Sequence, residues 1–198
     1  LFPDGHEVTR AGSVGLPMPH LSLRLVRDDG TEVGDDEPGE LLLAGPTVCA
    51  GYWRDPASSA AATTQDGWFR TGDLLRRDKD GWFFVCGRKK EMFISGGENV
   101  YPAEVERVLY DLPGVLEAAV VAEPDARWGE VGHAHLALRP GAAPLDPEEV
   151  RRLCRERLAG YKVPKRVTFL PSLPKGPTGK IARRALQDAL QTAATGAP

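Results

Sequence analysis

A lysine that follows a loop rich in proline and glycine is the first residue whose position suggests chemistry. Residues 173–186 read LPKGPTGKIARRAL, and the pattern predicts that Lys180 opens a helix, with Thr178 as its cap. A cation there faces the positive end of the helix dipole, which costs roughly half a kcal/mol unless an anion binds nearby. An ordinary surface lysine is the alternative. A phosphate loop of the Walker type is excluded, because that pattern needs a glycine where Pro174 stands.

A carboxylate that could also bind a ligand lies earlier in the chain. Residues 67–75 read GWFRTGDLL, and the Thr-Gly pair predicts a tight turn that carries Asp73. A carboxylate on such a turn can accept hydrogen bonds from the two hydroxyls of a ribose. The alternative is an aspartate that only caps its own turn.

The third stretch, GRKKEMFISGGENVYP, combines a basic turn with a pair of glycines at residues 87–102. Arg88 offers a planar fork of donors that suits phosphate or ribose oxygens. Gly96 and Gly97 allow positive φ angles and a close approach of the backbone to a ligand. The alternative is a solvated basic turn followed by a β-bulge.

Histidines and cysteines do not add a metal or redox site. His133 and His135 lie two apart and share a face if they are on a strand, but no nearby Cys, His or Asp cluster completes a ligand set. We therefore predict no metal site. Cys49, Cys86 and Cys154 are odd in number and lack ligand or redox spacing, which is typical of reduced structural thiols in a cytosolic protein.

Composition limits the partners of the protein. Its 198 residues are 41% hydrophobic and 27% charged with a formal net charge of −3, which is ordinary for a globular protein and implies no general affinity for polyanions. The basic stretch ERLAGYKVPKRV has little aromatic interleaving, so nucleic-acid binding is not expected. We expect no membrane span and no signal peptide. The first residue is not Met, so we expect a piece of a longer protein.

The elements that must position these residues fall into two groups. Residues 1–86 are predicted to be β-rich, with strands in HLSLRLVR, GELLLAG and GWFFVCG, turns at Asp29-Gly30 and at RRDKDG, and one short helix after Pro56.

From residue 91 the pattern alternates between helix and strand. Helices are predicted in PAEVERVLYDLPG, in LDPEEVRRLCRERLAG up to Gly160, and at the C-terminal end. The last helix should bury Ile181, Ala185, Leu186 and Leu190. VLEAAVVAE, GHAHLALRP and RVTFL are predicted strands, and the tail QTAATGAP is predicted to be disordered. The predicted fold class is α/β (α+β), a β-rich part followed by a small compact α/β domain.

Taken together and in this order, the three stretches resemble the AMP-forming acyl-CoA synthetases of the adenylate-forming superfamily. GYWRDPASSAAATTQDGWFRTGDL is similar to the segment that leads into the TGD motif of that family, GRKKEMFISGGENVYPAEVE to its hinge motif, and LPKGPTGKIARRAL to its last motif. The resemblance implies that residues 1–86 are the last β-rich subdomain of a truncated N-terminal adenylation domain. It also implies a hinge at residues 87–91 and a mobile C-terminal lid domain at residues 92–198.

The resemblance also implies a reaction in two halves. A carboxylate first attacks the α-phosphate of ATP, which is bound with Mg²⁺, and gives an acyl-adenylate and pyrophosphate. The thiol of coenzyme A then attacks the acyl carbon and gives a thioester and AMP. Carried over to this chain, Asp73 holds the ribose hydroxyls, Arg88 the ribose or phosphate, and Lys180 bridges the substrate carboxylate and the α-phosphate.

Further roles follow from the hinge motif. Lys90 matches the hinge residue about which the small domain swings between the half-reactions. Ser95, Gly96, Gly97 and Glu98 would line the tunnel for the pantetheine arm of coenzyme A, and Asn99 would lie near the adenylate. The Ser95–Asn99 segment is expected to be a strand.

The run GGENVYPAEVE is similar to the fatty-acyl and aryl-acid CoA ligases, so the expected substrate is a small-molecule carboxylic acid. The phosphate loop and acyl pocket of the family are missing. The chain is therefore expected to be inactive without the upstream part of the same protein, and to be cytoplasmic. Two alternatives stay open: a ligase that delivers its acyl group to a carrier protein, and a non-catalytic adenylate-binding or docking module.

Overall fold

A computed structural model of the protein describes residues 10–195. The chain forms two compact units, Leu1–Lys90 and Glu91–Pro198. The boundary between them falls inside the stretch predicted as a hinge, and the hinge role itself stays a prediction.

The first unit is built on a five-stranded antiparallel sheet with one short helix. Its elements are β1 (Ser13–Gly15), β2 (Ser22–Val26), β3 (Gly39–Ala44), α1 (Pro56–Ala61), β4 (Phe69–Arg77) and β5 (Phe83–Arg88). The strand order is β1-β5-β4-β3-β2. The predicted strands and the helix after Pro56 are confirmed.

Local sequence explains the start of α1 and the two turns that were predicted in this unit. The side chain of Asp55 accepts a hydrogen bond from the Ser58 N–H, and Pro56 occupies the first turn of α1, as a helix start requires. The Arg27 carbonyl accepts from the N–H of Gly30, so the predicted turn after β2 forms. The RRDKDG turn is shorter than predicted, because its two arginines still belong to β4.

The second unit has a sheet around one central strand and helices on both faces. Its elements are β6 (Phe93–Ser95), β7 (Glu98–Val100), α2 (Pro102–Tyr110), β8 (Val115–Asp125), β9 (Gly129–Leu138), α3 (Pro147–Arg155), β10 (Arg166–Phe169) and α4 (Arg183–Thr195). Strand β9 pairs antiparallel with β8 and parallel with β10, and it meets β6 only at Gly129.

Successive side chains of β8 point alternately into two hydrophobic cores, which explains the nearly continuous apolar sequence of this strand. Ala118 and Val120 belong to a buried cluster that includes residues of α2 and α3. Ala119 and Val121 belong to a second cluster that contains Leu186 of α4. Because helices cover both faces, both sets of alternate side chains are apolar.

Three predictions about the C-terminal helices are wrong. Helix α3 ends at Arg155 and not at Gly160, because the Cys154 carbonyl accepts from the N–H of Arg157, three residues on, in a tighter closing turn. Ala185 is exposed, since the buried side of α4 is set by Leu186. Residues 191–195 of the predicted disordered tail continue α4, and the rest of that tail lies outside the described residues.

The described residues, 10–195, contain no helix that is long and apolar enough to cross a membrane. In the same range no group of three or more His, Cys, Asp or Glu could hold a metal ion. Cys49, Cys86 and Cys154 form no disulfide, and burial raises the pKa of the Cys154 thiol to about 11. That thiol is therefore unreactive near neutral pH.

Candidate functional site

The first part of the candidate site is an ion pair across two neighbouring strands. Asp73 on β4 and Arg88 on β5 are direct register partners, and Arg88 Nε lies 2.7 Å from Asp73 Oδ1. The Arg88 side chain is 61% exposed and the Asp73 side chain 33% exposed. An arginine has five N–H donors and a carboxylate about four acceptor positions, so one contact leaves most of their capacity for a ligand.

A bulge in β4, and not the predicted tight turn, presents Asp73. Leu42 pairs with Arg70 and Glu40 pairs with Leu74, so three residues of β4 lie opposite Leu41 alone. The Thr71 hydroxyl donates to the Leu41 carbonyl at 2.8 Å and accepts from the Asp73 N–H at 3.0 Å. The Thr-Gly pair therefore lies in an irregular part of the backbone, but inside a strand that continues in the same direction. A bulge re-aims a side chain without ending the strand.

A buried carboxylate next to this pair was missed by the sequence reasoning. Glu40 is 5% exposed and contacts Arg70 at 3.1 Å and Lys89 at 3.0 Å. The Lys89 ammonium also lies 2.6 Å from Asp28. The contact with Asp28, and to a smaller extent that with Glu40, raises the pKa of Lys89. The signal in the sequence was a single acidic residue in the otherwise apolar run GELLLAG.

These contacts isolate Lys90 at the unit boundary. The Lys89 N–H donates to the Gly72 carbonyl at 2.9 Å, so Lys89 is held in the first unit by both backbone and side chain. Glu91 is held in the second unit, where its Oε2 lies 3.6 Å from Arg183 Nε. Lys90 itself is exposed. The predicted hinge residue is thus the one position between two anchored neighbours.

The predicted pantetheine segment is a tight hairpin and not one continuous strand. Ser95 at the end of β6 pairs with Glu98 at the start of β7, and Gly96-Gly97 form the two-residue turn with φ angles of 61° and 90°. Two consecutive positive φ angles fit glycine and match the right-handed twist of the strands. Asn99 and Glu98 are exposed. Ser95 is 1% exposed, and its hydroxyl has no hydrogen-bond partner among residues 10–195.

An aromatic ring covers one side of this hairpin, and the sequence reasoning missed it as well. The Gly96 N–H donates to the Trp128 carbonyl at 2.9 Å, and a Cβ on Gly96 would come within 2.6 Å of the Trp128 ring. The same ring carries two cations, with Arg127 5.1 Å and Lys165 5.3 Å from its centroid. A flat apolar surface and two positive charges therefore adjoin the glycine pair.

Lys180 lies on a hairpin, so the prediction that it opens a helix is wrong. Lys175 pairs with Ile181 in an isolated bridge, and α4 begins only at Arg183. The turn between them closes through Gly179, whose φ of 76° and N–H bond to Gly176 are typical of a turn that ends in a bulge. The predicted cap by Thr178 therefore does not apply. Lys180 is exposed, and its ammonium group makes no hydrogen bond or ion pair with residues 10–195.

The two histidines are on one face of β9, as predicted, and form a stacked pair with ring centroids 4.4 Å apart. His133 Nδ1 lies 2.8 Å from Glu123 and its Nε2 2.8 Å from the Thr168 hydroxyl. His135 is 4% exposed, and neither of its ring nitrogens has a hydrogen-bond partner within residues 10–195. Burial and the neighbouring His133 lower the pKa of His135 to about 4.

Two protein families match parts of the chain. Residues 104–180 match the family described as "AMP-binding enzyme C-terminal domain", and residues 2–53 match "AMP-binding enzyme". The first match begins inside α2 at Glu104 and ends at Lys180, and the second ends before β4.

The chain is also similar to curated enzymes. It is 49% identical to the indoleacetate–CoA ligase of Aromatoleum aromaticum over 88% of this chain and 34% of that ligase. It is 46% identical to the feruloyl-CoA synthase of an Amycolatopsis species over 90% of this chain and 36% of that synthase. The chain therefore spans about a third of the length of the relatives it matches.

Solved structures are similar over nearly the whole chain. The o-succinylbenzoate CoA synthetase (MenE) of Bacillus subtilis in complex with the acyl-adenylate intermediate OSB-AMP aligns with a TM-score of 0.87 at 37% identity. The alignment covers 94% of this chain and 38% of that one. ATP-bound MatB from Rhodopseudomonas palustris aligns with a TM-score of 0.82 at 36% identity, covering 90% of this chain and 35% of that one.

Proposed function

We propose, from the premise that this chain belongs to the AMP-binding enzyme family, that it is the C-terminal part of an ATP-dependent carboxylic acid–CoA ligase. The whole protein forms an acyl-adenylate from a fatty or aryl acid and ATP, and then converts it to an acyl-CoA thioester. Relatives that are named indoleacetate–CoA ligase, feruloyl-CoA synthase and long-chain-fatty-acid–CoA ligase support this class of reaction.

The observation that carries the proposal is the pairing of Asp73 with Arg88. The carboxylate of Asp73 accepts the two ribose hydroxyls of the nucleotide, while the free guanidinium nitrogens of Arg88 donate to ribose or phosphate oxygens. An exposed ion pair contributes little to stability, typically about 0–1 kcal/mol, so the arrangement is better explained by a ligand. The ribose binds to the carboxylate face and the phosphates lie on the cationic side.

Lys180 supplies the charge for the first half-reaction. Negative charge builds up on the phosphoryl oxygens as the acid attacks the α-phosphate, and a positioned ammonium group stabilises it. The exposed ammonium group of Lys180, which makes no hydrogen bond or ion pair with residues 10–195, is available for that contact. Mg²⁺ accompanies ATP, held by its phosphates and by the upstream part of the protein.

The second half-reaction uses the glycine hairpin. The Gly96-Gly97 turn allows the pantetheine arm to pass close to the backbone on the open side at Gly97, and Asn99 lies nearby on β7. The Trp128 ring with Arg127 and Lys165 suits the purine and phosphates at the other end of coenzyme A, because it combines a stacking surface with two cations. Lys90 is the hinge about which the second unit reorients between the half-reactions.

A cytoplasmic location and a role in fatty-acid or aryl-acid metabolism complete the proposal. The three free cysteines support a reducing compartment.

ATP–pyrophosphate exchange over a panel of short, long and aromatic acids tests the proposed function. We would run it with this chain and with the protein extended to its natural start. Exchange with the extended protein alone supports a ligase whose upstream part completes the site, and the best acid defines the substrate class. Competition between coenzyme A and a phosphopantetheinyl carrier protein then identifies the acceptor. An extended protein that binds AMP but exchanges with no acid would indicate a non-catalytic module.

A further inference from the structure

The hairpin that carries Lys180 has a well-defined stem. Hydrogen bonds join the Gly176 N–H to the Lys180 carbonyl and the Ala182 N–H to the Pro174 carbonyl, both at 2.8 Å. The stem is therefore paired on both sides of the bridge between Lys175 and Ile181. Since Lys180 directly follows the turn, the orientation of the stem decides where its ammonium group can reach.

A carboxylate of the sheet holds the first end of this stem. Glu117 on β8 accepts a hydrogen bond from the Leu173 N–H at 3.0 Å, and its other oxygen lies 2.5 Å from the Lys175 ammonium group. The Glu117 side chain is 15% exposed, and the contact with Lys175, followed by the bond from Leu173, lowers its pKa. This one carboxylate therefore fixes both the backbone and a side chain where the hairpin begins.

A second carboxylate holds the other end. Glu106 on α2 lies 2.5 Å from Arg183 Nη2 and accepts the Val120 N–H of β8 at 2.8 Å. Glu106 is 7% exposed, and burial raises its pKa while Arg183 opposes that effect. Because Arg183 is three residues after Lys180, this contact fixes the point where the hairpin passes into α4.

We propose that Glu117 and Glu106 are positioning residues for Lys180, because they hold the two ends of the hairpin that presents its ammonium group. Neither carboxylate needs to touch a substrate. The inference rests on the proposed function, since it assigns a task to Lys180 in the formation of the acyl-adenylate.

The placement of the carboxylates argues for positioning. They contact opposite ends of one eleven-residue segment, Leu173–Arg183, and they come from two different elements, β8 and α2. A displacement of about 1 Å at a reacting group can lower a rate about a hundredfold, so a stem that tilts would slow the step in which Lys180 acts. A step that does not use Lys180 should be unaffected.

The test uses the full-length protein and measures the two half-reactions separately. We expect Glu117→Gln and Lys175→Met to lower kcat of ATP–pyrophosphate exchange about tenfold, with KM for ATP and thioester formation from supplied acyl-adenylate within about twofold. Lys175→Arg should restore the rate because it keeps the charge. Glu106→Gln should also lower kcat of ATP–pyrophosphate exchange. Lys175 is half exposed, so its variant remains informative if a glutamate variant does not fold.

Asp111→Asn is the matched control, because Asp111 forms an exposed ion pair at 2.6 Å in the same unit with Arg157, which is not part of the hairpin. It should change neither half-reaction. A parallel loss of both half-reactions in Lys175→Met, or no loss in either, would overturn the positioning inference. Lys180→Ala separates this failure from that of the proposed function: unchanged exchange in Lys180→Ala would refute the function itself.

Discussion

Arg88 and Asp73 face each other across β4 and β5 at the one place where β4 bulges, so that the ion pair lies on an exposed part of the sheet. Asp73 is one of the extra residues of the bulge, and the register of β4 and β5 places Arg88 opposite it. Backbone pairing thus fixes two oppositely charged groups relative to each other, and the proposed contact with the nucleotide ribose depends on this arrangement.

Replacing Asp73 with Asn should weaken nucleotide binding. A hydrogen bond to a charged group contributes about 1.5–3 kcal/mol, so KM for ATP in the exchange assay should rise by about ten- to a hundredfold. The matched control is Asp36→Asn, which breaks an exposed ion pair with Arg76 at 2.6 Å in the same unit. Equal KM values for the Asp73 variant and the unaltered protein would argue against a ribose contact.

Proline at position 90 should separate the two half-reactions. Proline fixes φ near −65°, so Lys90→Pro removes the rotation that a hinge needs, while Lys90→Ala keeps it. We expect Lys90→Pro to retain one half-reaction and to lose at least about tenfold in the other, and Lys90→Ala to retain both. Stopped-flow measurement of each half-reaction checks this. Equal rates in both variants would show that residue 90 is not the hinge.

The two glycines of the hairpin should respond differently to a methyl group. Gly96→Ala places a Cβ 2.6 Å from the Trp128 ring and does so at a positive φ angle. In Gly97→Ala the new Cβ has open space around it, so the only cost is the strain of the positive φ angle. That strain is about 1–2 kcal/mol. We expect Gly96→Ala to impair thioester formation more than Gly97→Ala, with KM for coenzyme A as the readout. The reverse order would contradict a role for the Gly96–Trp128 packing.

His135 should make the second unit less stable in acid. The pKa of this buried side chain is about 4, below its ordinary value of 6.5, so the unfolded state binds more protons between these two pH values. The contribution of neutral His135 to the free energy of unfolding is complete above pH 6.5 and is lost as the pH falls to 4. The free energy of unfolding decreases by at most about 3 kcal/mol over this range.

Hydrogen exchange of the β9 amides at several pH values measures this loss. Glu123 contacts His133, and His133 stacks on His135, so His135→Phe is the comparison that isolates the effect of His135. The Phe variant keeps a stacked ring but has no proton to gain, and its protection should fall less in acid. An identical pH profile in both proteins would show that His135 is not responsible.

The sequence predicted most elements because their signals are local. The helix after Pro56 and the helix in LDPEEVRRLCRERLAG both form, and the side chains of Asp55 and Asp146 cap them by accepting from the N–H groups of Ser58 and Glu149. The boundaries were less predictable, since the end of α3 depends on a tighter turn and the extent of α4 on tertiary packing. The prediction that Lys180 begins a helix was wrong because the chain first forms a hairpin, with Gly179 in its turn, and enters the helix only after it.

The site was predictable in its residue types but not in its geometry. Asp73 and Arg88 were recognised from motifs, yet their direct pairing depends on a register and a bulge that only the folded sheet has. Glu106 and Glu117 gave no signal, because each is an acidic residue in an ordinary helix or strand pattern. Their contacts with residues more than fifty positions away come from the fold alone.

The most direct test of the central claim is the pair of half-reaction rates in the full-length protein with Lys180→Ala. We predict that ATP–pyrophosphate exchange falls at least about a hundredfold, because the charge that stabilises the reacting phosphate is lost. Thioester formation from supplied acyl-adenylate should remain within about threefold of the unaltered rate. Exchange that proceeds normally without the Lys180 ammonium group would contradict the assignment of this chain to the adenylating machinery of a ligase.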